Sequence, residues 1–261
     1  MVRFFVGAQD VSGGSIVLSA EDAAHVRSLR LRPSELFIVC DGMGAEYVCR
    51  LGDAVRCAGD SERGAQDAEL ASWGRGQGAI AEIIEARPSR GEPSIACTAY
   101  IALAKGDRLD YAVQKSVELG AHGVVLFPSR RCVSIPGDMA KKVARLQRIA
   151  LETAKQCGRG RVPTVSAMGS FEAAIKEASS AELPLFFYEC EERLSLREAL
   201  EQWTLGSFSI VTGPEGGFEP HEAEHARDAG MLAVTLGPRI LRCETAPAAA
   251  LAAIMFHTGN L

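Results

Sequence analysis

Aromatic side chains are scarce in this chain. They make up 6% of its 261 residues, and tryptophan occurs only at Trp73 and Trp203. Single-stranded bases are held on clustered aromatics, so a nucleic acid would be recognised here through shape and phosphate instead. No apolar run approaches eighteen residues, which argues against a membrane-spanning helix. The opening Met1-Val-Arg-Phe-Phe-Val is too short for a secretory signal and is ended by Gln9 and Asp10. None of the eight cysteines forms a Cys-x-x-Cys pair. A disulfide or zinc framework is therefore not expected, and the thiols read as reduced in a cytoplasmic setting. No Gly-x-Gly-x-x-Gly follows an early strand, so the Rossmann dinucleotide fingerprint is lacking. The nearest fragment, Asp41-Gly-Met-Gly44, leads into another strand pattern rather than a helix and reads as a hairpin loop.

What is present is an apolar content of 47% and a formal net charge of −5, which predict a sizeable core in an acidic protein. The acidic balance alone argues against a nucleic-acid partner. The charge distribution argues the other way. Residues 130–161 carry nine cations (Arg130, Arg131, Lys141, Lys142, Arg145, Arg148, Lys155, Arg159, Arg161), opposed only by Asp138 and Glu152. Arginine, which binds phosphate in bidentate fashion, outnumbers lysine 22 to 6.

The first ninety residues read as short strands at 4–6, 15–18, 36–40 and 46–51, with a short helix over 21–30 capped by Ser19. Residues 59–78 are charged, glycine-rich and without period, and read as a mobile excursion between strands. A strand resumes at 79–86, and Arg87-Pro-Ser-Arg-Gly-Glu-Pro93 is the best linker candidate. The division is therefore a small β-rich domain, read as a barrel, over 1–90 and a second domain over 91–261. In the second domain strands alternate with helices: strands near 94–103, 124–127, 185–188, 208–211 and 232–236, helices after Asp107 and Asp138 and at 171–178, 195–201, 220–229 and 246–256. That alternation predicts an α/β fold with a mostly parallel sheet covered on both faces.

Two strands run into turns of glycine and proline, Gly213-Pro-Glu-Gly-Gly217 and Leu236-Gly-Pro-Arg-Ile-Leu-Arg-Cys-Glu-Thr245. Thr245 reads as the N-cap of an almost wholly apolar helix. Adjacent strand-end loops of this kind make a small-molecule crevice at the edge of an α/β sheet. Two readings stand for Glu215: a contact to a ligand amine or hydroxyl, or acceptance of backbone N–H bonds that hold the turn. Arg239, Arg242 and Glu244 sit among residues that read as buried and apolar (Ile240, Leu241, Ala246), so they pair internally or reach an anion. His221-Glu222-Ala-Glu-His225 satisfies the spacing of a zinc protease. Pro220 opens that short helix, no third ligand follows, and His221 would lie in the first turn against the dipole, so no metal is expected. Lys105-Gly-Asp-Arg108, Gln156-Cys-Gly-Arg-Gly-Arg-Val-Pro163 and the cluster Arg27, Arg30, Arg32 are the candidate anion and RNA contacts.

Taken together, these segments resemble one family, the 16S ribosomal RNA uridine N3-methyltransferases, known as ribosomal RNA small subunit methyltransferase E. The resemblance runs through His25-Val-Arg-Ser-Leu-Arg-Leu-Arg, Asp41-Gly-Met-Gly, Lys105-Gly-Asp-Arg, Gln114-Lys-Ser-Val-Glu-Leu-Gly, Ser129-Arg-Arg-Cys, Gln156-Cys-Gly-Arg-Gly-Arg-Val-Pro, Gly213-Pro-Glu-Gly-Gly-Phe and Leu236-Gly-Pro-Arg-Ile-Leu-Arg-Cys-Glu-Thr-Ala. It implies a PUA-like RNA-binding β-barrel followed by a SPOUT methyltransferase domain with a trefoil knot, and a homodimer. S-adenosyl-L-methionine would be held by Tyr188, Glu189, Gly213, Pro214, Glu215, Gly216, Gly217, Leu236, Gly237, Leu241, Arg242 and Thr245. The RNA of the small ribosomal subunit would meet Arg27, Arg30, Arg32, Lys105, Arg108, Arg131, Arg159 and Arg161. Arg242 and Glu244 are the catalytic candidates. The competing readings are a methyltransferase of this fold acting on another RNA and a non-catalytic RNA-binding assembly factor.

Overall fold

The computed structural model describes residues 1–52, 78–203 and 206–261. Most of the expected excursion at 59–78 lies outside the described residues. The chain divides into two compact units: Met1–Glu92 with Lys155–Val162, and Pro93–Ala154 with Pro163–Leu261.

The first unit is built on a six-stranded sheet in the order β1-β4-β5-β6-β3-β2. Its strands are β1 (Arg3–Phe5), β2 (Val11–Ser12), β3 (Ser15–Leu18), β4 (Phe37–Cys40), β5 (Ala45–Leu51) and β6 (Ala79–Pro88). The β1–β4 ladder is parallel and the others antiparallel. Residues 41–44 close the β4–β5 hairpin, where the Asp41 Oδ1 accepts from the backbone N–H of Met43 (2.8 Å) and Ala45 (3.1 Å). Helix α1 (Ala20–Ser28) starts as expected, with Ser19 accepting from the Asp22 N–H. Its Val26 and Ala23 join Phe4, Ile16, Leu18, Phe37 and Val39 in the core.

Within that unit Glu46 is buried, yet its two oxygens take Arg3 Nη1 at 3.0 Å and Arg87 Nε at 2.7 Å. Burial opposes its ionisation, but the hydrogen bonds from Arg87 and Arg3 outweigh it and hold the carboxyl below the usual carboxylate range. A depressed carboxyl contributes stability that is present above its unfolded value and lost as pH falls through the folded one. Glu46→Gln is therefore expected to lower stability at pH 7 by about 1–2 kcal/mol. Below about pH 4.3 that difference should shrink, because the wild-type carboxyl then protonates too. Urea unfolding at pH 7 and pH 3.5 measures both; an equal difference at the two values would contradict the account.

The second unit is organised on a six-stranded, all-parallel sheet in the order β12-β10-β11-β7-β8-β9. Its strands are β7 (Ala96–Ala102), β8 (Gly123–Phe127), β9 (Thr164–Ala167), β10 (Leu183–Phe187), β11 (Ser207–Thr212) and β12 (Leu232–Val234). Its helices are α2 (Arg108–Glu118), α3 (Met139–Cys157), α4 (Phe171–Ala178), α5 (Leu196–Glu201), α6 (Pro220–Asp228) and α7 (Thr245–His257), with the last residues of α3 belonging to the first unit. Burial on both faces explains the near-continuous apolar strands Leu183–Phe187 and Gly123–Phe127. On one face Tyr100, Phe127, Phe186 and Val211 pack with Phe171 and Ile175 of α4, with Ala223 and Ala226 of α6, and with Phe218. The alternate positions Ala99, Ile101, Leu126, Leu185 and Ile210 are equally buried. Helix α7 packs on β7 and β11 and against α2. Leu109, Ala112, Val113, Ser116 and Val117 of α2 are buried, the stripe its spacing predicts.

Local expectations differ from the structure at a few points. Asp107 stands at the N-cap of α2 without a side-chain cap bond, whereas Asp138 accepts from the Lys141 N–H at 2.9 Å. Thr245 is the first residue of α7 and not its cap: its N–H and that of Ala246 already donate to the Arg242 carbonyl, and Glu244 takes the cap position. Strand β9 was not expected, because Thr-Val-Ser-Ala is too short to show a period. Among the described residues no helix is long and apolar enough to cross a membrane.

Candidate functional site

Three parallel strands of the second unit, β10, β11 and β12, end side by side. Their exits (Tyr188-Glu189, residues 213–217 and residues 235–244) surround a cavity of about 1050 Å³. This is the crevice beyond the carboxyl ends of the strands, where strand order leaves loops free to diverge. Every residue assigned above to a cofactor lines it except Thr245, as do Arg108 and Glu244. Thr235, Arg239, Ile240 and Cys243 line it as well. Arg239, Ile240 and Cys243 stood inside the glycine-proline motif and were readable; Thr235 lies just before it.

The turn after β11 is held from three sides. Phe218, just beyond it, is fully buried, with its ring 4.4 Å from that of Phe186. The Phe218 N–H donates to Glu189 Oε1 at 3.1 Å. Gly217 has φ +68, and a Cβ there would run into the Glu189 carboxylate. Arg131 packs its Cβ against Gly216 and donates from Nη1 to the Gly216 carbonyl at 3.1 Å. Glu215 Oε1 accepts from the Lys105 N–H at 2.8 Å and from Arg108 Nη1 at 2.7 Å. Of the two readings for Glu215, the structure therefore displays the loop-holding one. Burial raises the Glu215 pKa, but the backbone N–H bonds from Lys105 and Glu215 itself, then Arg108, bring it below the ordinary value.

The loop after β12 is more open than its composition implies. Ile240, expected among buried apolar residues, is 85% exposed. The side chains of Arg239 and Arg242 are exposed at the cavity, and neither makes an ion pair or hydrogen bond with a described residue. Glu244 is the charge that pairs internally: it accepts from Cys243 Sγ at 3.2 Å and lies 3.8 Å from Arg108 Nε. Burial, then the bond to Glu244, push the Cys243 thiol up to about 12, so it stays protonated and acts as a donor.

The residues assigned to RNA separate. Arg108 and Arg131 hold the turn after β11, and Lys105 contributes its backbone N–H there while its side chain is exposed. In the first unit Arg30 and Arg32 are exposed and Arg27 is half-buried. Arg161 donates from Nη2 to the Met43 carbonyl at 2.9 Å. Arg159 is a correction. It is 2% exposed, with Nη2 2.7 Å from Glu92 Oε2, so its charge is satisfied inside the unit and is not offered to a phosphate. In the second unit, Asp110 likewise absorbs part of the basic stretch, pairing with Arg145 and Lys142.

Glu222, the acid of the His-Glu-x-x-His spacing, is buried and fully engaged. Its Oε1 accepts from Ser129 Oγ at 3.0 Å and from the Arg130 N–H at 3.1 Å, and its Oε2 from the Glu219 N–H at 2.9 Å. It ties the loop after β8 to α6, a structural task that leaves no free carboxylate for base chemistry.

Residues 91–255 match the family model described as an RNA methyltransferase domain. Ribosomal RNA small subunit methyltransferase E of Bacillus subtilis (strain 168) is 36% identical over 176 residues, 61% of this chain and 66% of the relative's length. The protein of that name from Mycobacterium bovis is 28% identical over 259 residues, covering 96% of this chain and 90% of the relative. The crystal structure of a ribosomal RNA small subunit methyltransferase E from Neisseria gonorrhoeae bound to S-adenosyl methionine matches with a TM-score of 0.79 and 31% identity, covering 98% of this chain and 97% of that one.

Proposed function

Because the chain belongs to the ribosomal RNA small subunit methyltransferase E family, we propose that it uses S-adenosylmethionine to methylate N3 of a uridine in the 16S RNA of the small ribosomal subunit. The observation that carries this reading is the cavity at the ends of β10, β11 and β12. Its volume suits a nucleoside-sized cofactor. Its lining suits one too: backbone of residues 213–217 and 235–238 for hydrogen bonds, and Tyr188, Leu236 and Leu241 for an apolar ring face. The bound cofactor supplies an electrophilic methyl group on a sulfonium sulfur.

The chain's own part is to make N3 nucleophilic and to aim it. The imide proton at N3 is about as weakly acidic as a phenol, with a pKa of about 10. Negative charge spreads to O2 and O4 as it leaves. Arg242, cationic, exposed at the cavity and without a partner among the described residues, is placed to stabilise that charge. Glu244 is the proton acceptor in this reading, positioned by the Cys243 thiol. The remaining acceleration is alignment of N3 with the methyl carbon and sulfur.

The same reading assigns a PUA-like barrel to the first unit, a trefoil knot to the second and a homodimer through α7. That helix is apolar from Ala246 to Phe256, yet Phe256 is 76% exposed, which favours a partner surface. A chain that sediments as a monomer at micromolar concentration would remove the dimer from the proposal.

Methyl transfer from labelled cofactor to undermodified small subunits, followed by nucleoside analysis, tests the reaction. The expected product is N3-methyluridine. Label in a tRNA pool instead would favour another RNA target. No label in any RNA would favour the non-catalytic assembly factor.

A further inference from the structure

Arg108 carries an arrangement that phosphate binding does not explain. It lies in the first turn of α2, where the helix dipole disfavours a cation. Two partly buried carboxylates compensate: Glu215, 19% exposed, with its Oε1 at 2.7 Å from Nη1, and Glu244, 16% exposed, with its Oε2 at 3.8 Å from Nε. Glu215 belongs to the turn after β11 and also receives the Lys105 N–H from the segment after β7. Glu244 belongs to the loop after β12 and stands at the N-cap of α7. One guanidinium thus faces the exits of β11 and β12 from the start of α2, and all three side chains line the cavity. Arg239 and Arg242, on the same cavity, have no such partners among the described residues. A phosphate-binding arginine is left free to meet its anion; Arg108 is already committed.

We infer that Arg108 is a positioning residue that ties the turn after β11 to the loop after β12 and so sets the affinity for the cofactor, not for RNA. The inference rests on the cofactor reading above. Its physical basis is preorganisation: loops already joined by a charge-assisted hydrogen bond at Glu215 and a longer ion pair at Glu244 lose less freedom when a ligand settles between them. Removing the guanidinium leaves Glu215 the Lys105 N–H and Glu244 the Cys243 thiol, but cuts the tie between them and loosens both loops.

The experiment compares wild type, Arg108→Ala, Arg108→Lys and Glu215→Gln by calorimetric titration with S-adenosylmethionine, by steady-state kinetics, and by binding to small-subunit RNA across a salt series. Arg108→Ala should raise the cofactor Kd about 5- to 20-fold with RNA affinity unchanged; kcat also feels the loss through Glu244, so the Kd is the deciding readout. Arg108→Lys should recover most of the loss, because an ammonium still reaches a carboxylate. Glu215→Gln, which keeps an acceptor for the Lys105 N–H, should fall between them. The salt slope of RNA binding should be the same for all four. Weakened RNA binding with a shallower salt slope and unchanged cofactor affinity would overturn the inference in favour of a phosphate contact. Unchanged values throughout would reduce the cluster to an idle surface pair. A melting temperature for each variant separates loop loosening from unfolding, and if Arg108→Ala does not fold, Arg108→Lys and Glu215→Gln carry the comparison. A folded wild-type protein that takes up no cofactor would overturn the proposed function itself, and this inference with it.

Discussion

Replacing Arg242 with alanine is expected to slow single-turnover methyl transfer by about 10²–10³-fold, the usual cost of deleting one donor aimed at developing negative charge. The side chain is exposed at the cavity and makes no hydrogen bond or ion pair with a described residue. Its removal should therefore leave fold and melting temperature untouched. Cofactor affinity should stay within about threefold, because the guanidinium is assigned to the uracil oxyanion and that charge exists only as N3 gives up its proton. A pH–rate profile adds a second readout. Without the cation, deprotonation of N3 becomes less favourable, so the rate of Arg242→Ala should keep rising at alkaline pH where wild type has levelled. Methylation within a few-fold of wild type would remove Arg242 from the mechanism, and Arg239 would become the next cation to test.

Gly217→Val is expected to weaken cofactor binding by at least about thirtyfold, or about 2 kcal/mol. Two independent costs act at this position. The backbone φ of +68 lies in the left-handed region, which costs a residue with a Cβ about 1–2 kcal/mol and a β-branched one more. The new Cβ also lands on the Glu189 carboxylate, which must move and abandon the Phe218 N–H. An abandoned buried donor costs about 1–3 kcal/mol. Relaxation moves the turn after β11 and the exit of β10 together, so both lose their alignment around the cavity. Gly217→Ala should show a smaller loss. Gly169→Ala, at a glycine with open space around it and no left-handed φ, should show none. Calorimetric titration of the three variants decides the matter; wild-type affinity for Gly217→Val would mean that the turn does not touch the cofactor.

Several elements were readable because their signals are local. The helix at 171–178, the cap at Ser19, the apolar stripe of α2 and the strand 15–18 follow from residues within one or two turns of one another. The glycine-proline motifs marked the cavity for the same reason, since a turn that needs a positive φ displays its glycine. The errors are also instructive. Ile240 was read as buried from its apolar side chain, yet it stands 85% exposed. Arg159 was read as a phosphate ligand because arginine beside glycine suits one; its partner Glu92 lies 67 residues away in the chain. The ion pair of Arg108 with Glu215 spans a gap of 107 residues, equally out of reach of a local motif.

The amino-acid sequence by itself determined that the second part of the chain is an α/β unit on a parallel sheet, that two of its strand exits are built of glycine and proline, and which family it belongs with. Hydrophobic period, capping residues and turn chemistry act over a few residues, and a motif is a local object. Tertiary structure alone decided the order β12-β10-β11-β7-β8-β9, which sets the exits of β10, β11 and β12 around one cavity. It also decided which charges are paired within the fold, as at Glu222, Arg159 and Arg108, and which have no partner among the described residues, as at Arg239 and Arg242. A buried or half-buried charge is settled by whichever opposite charge the fold brings within about 4 Å, and no local pattern encodes that distance.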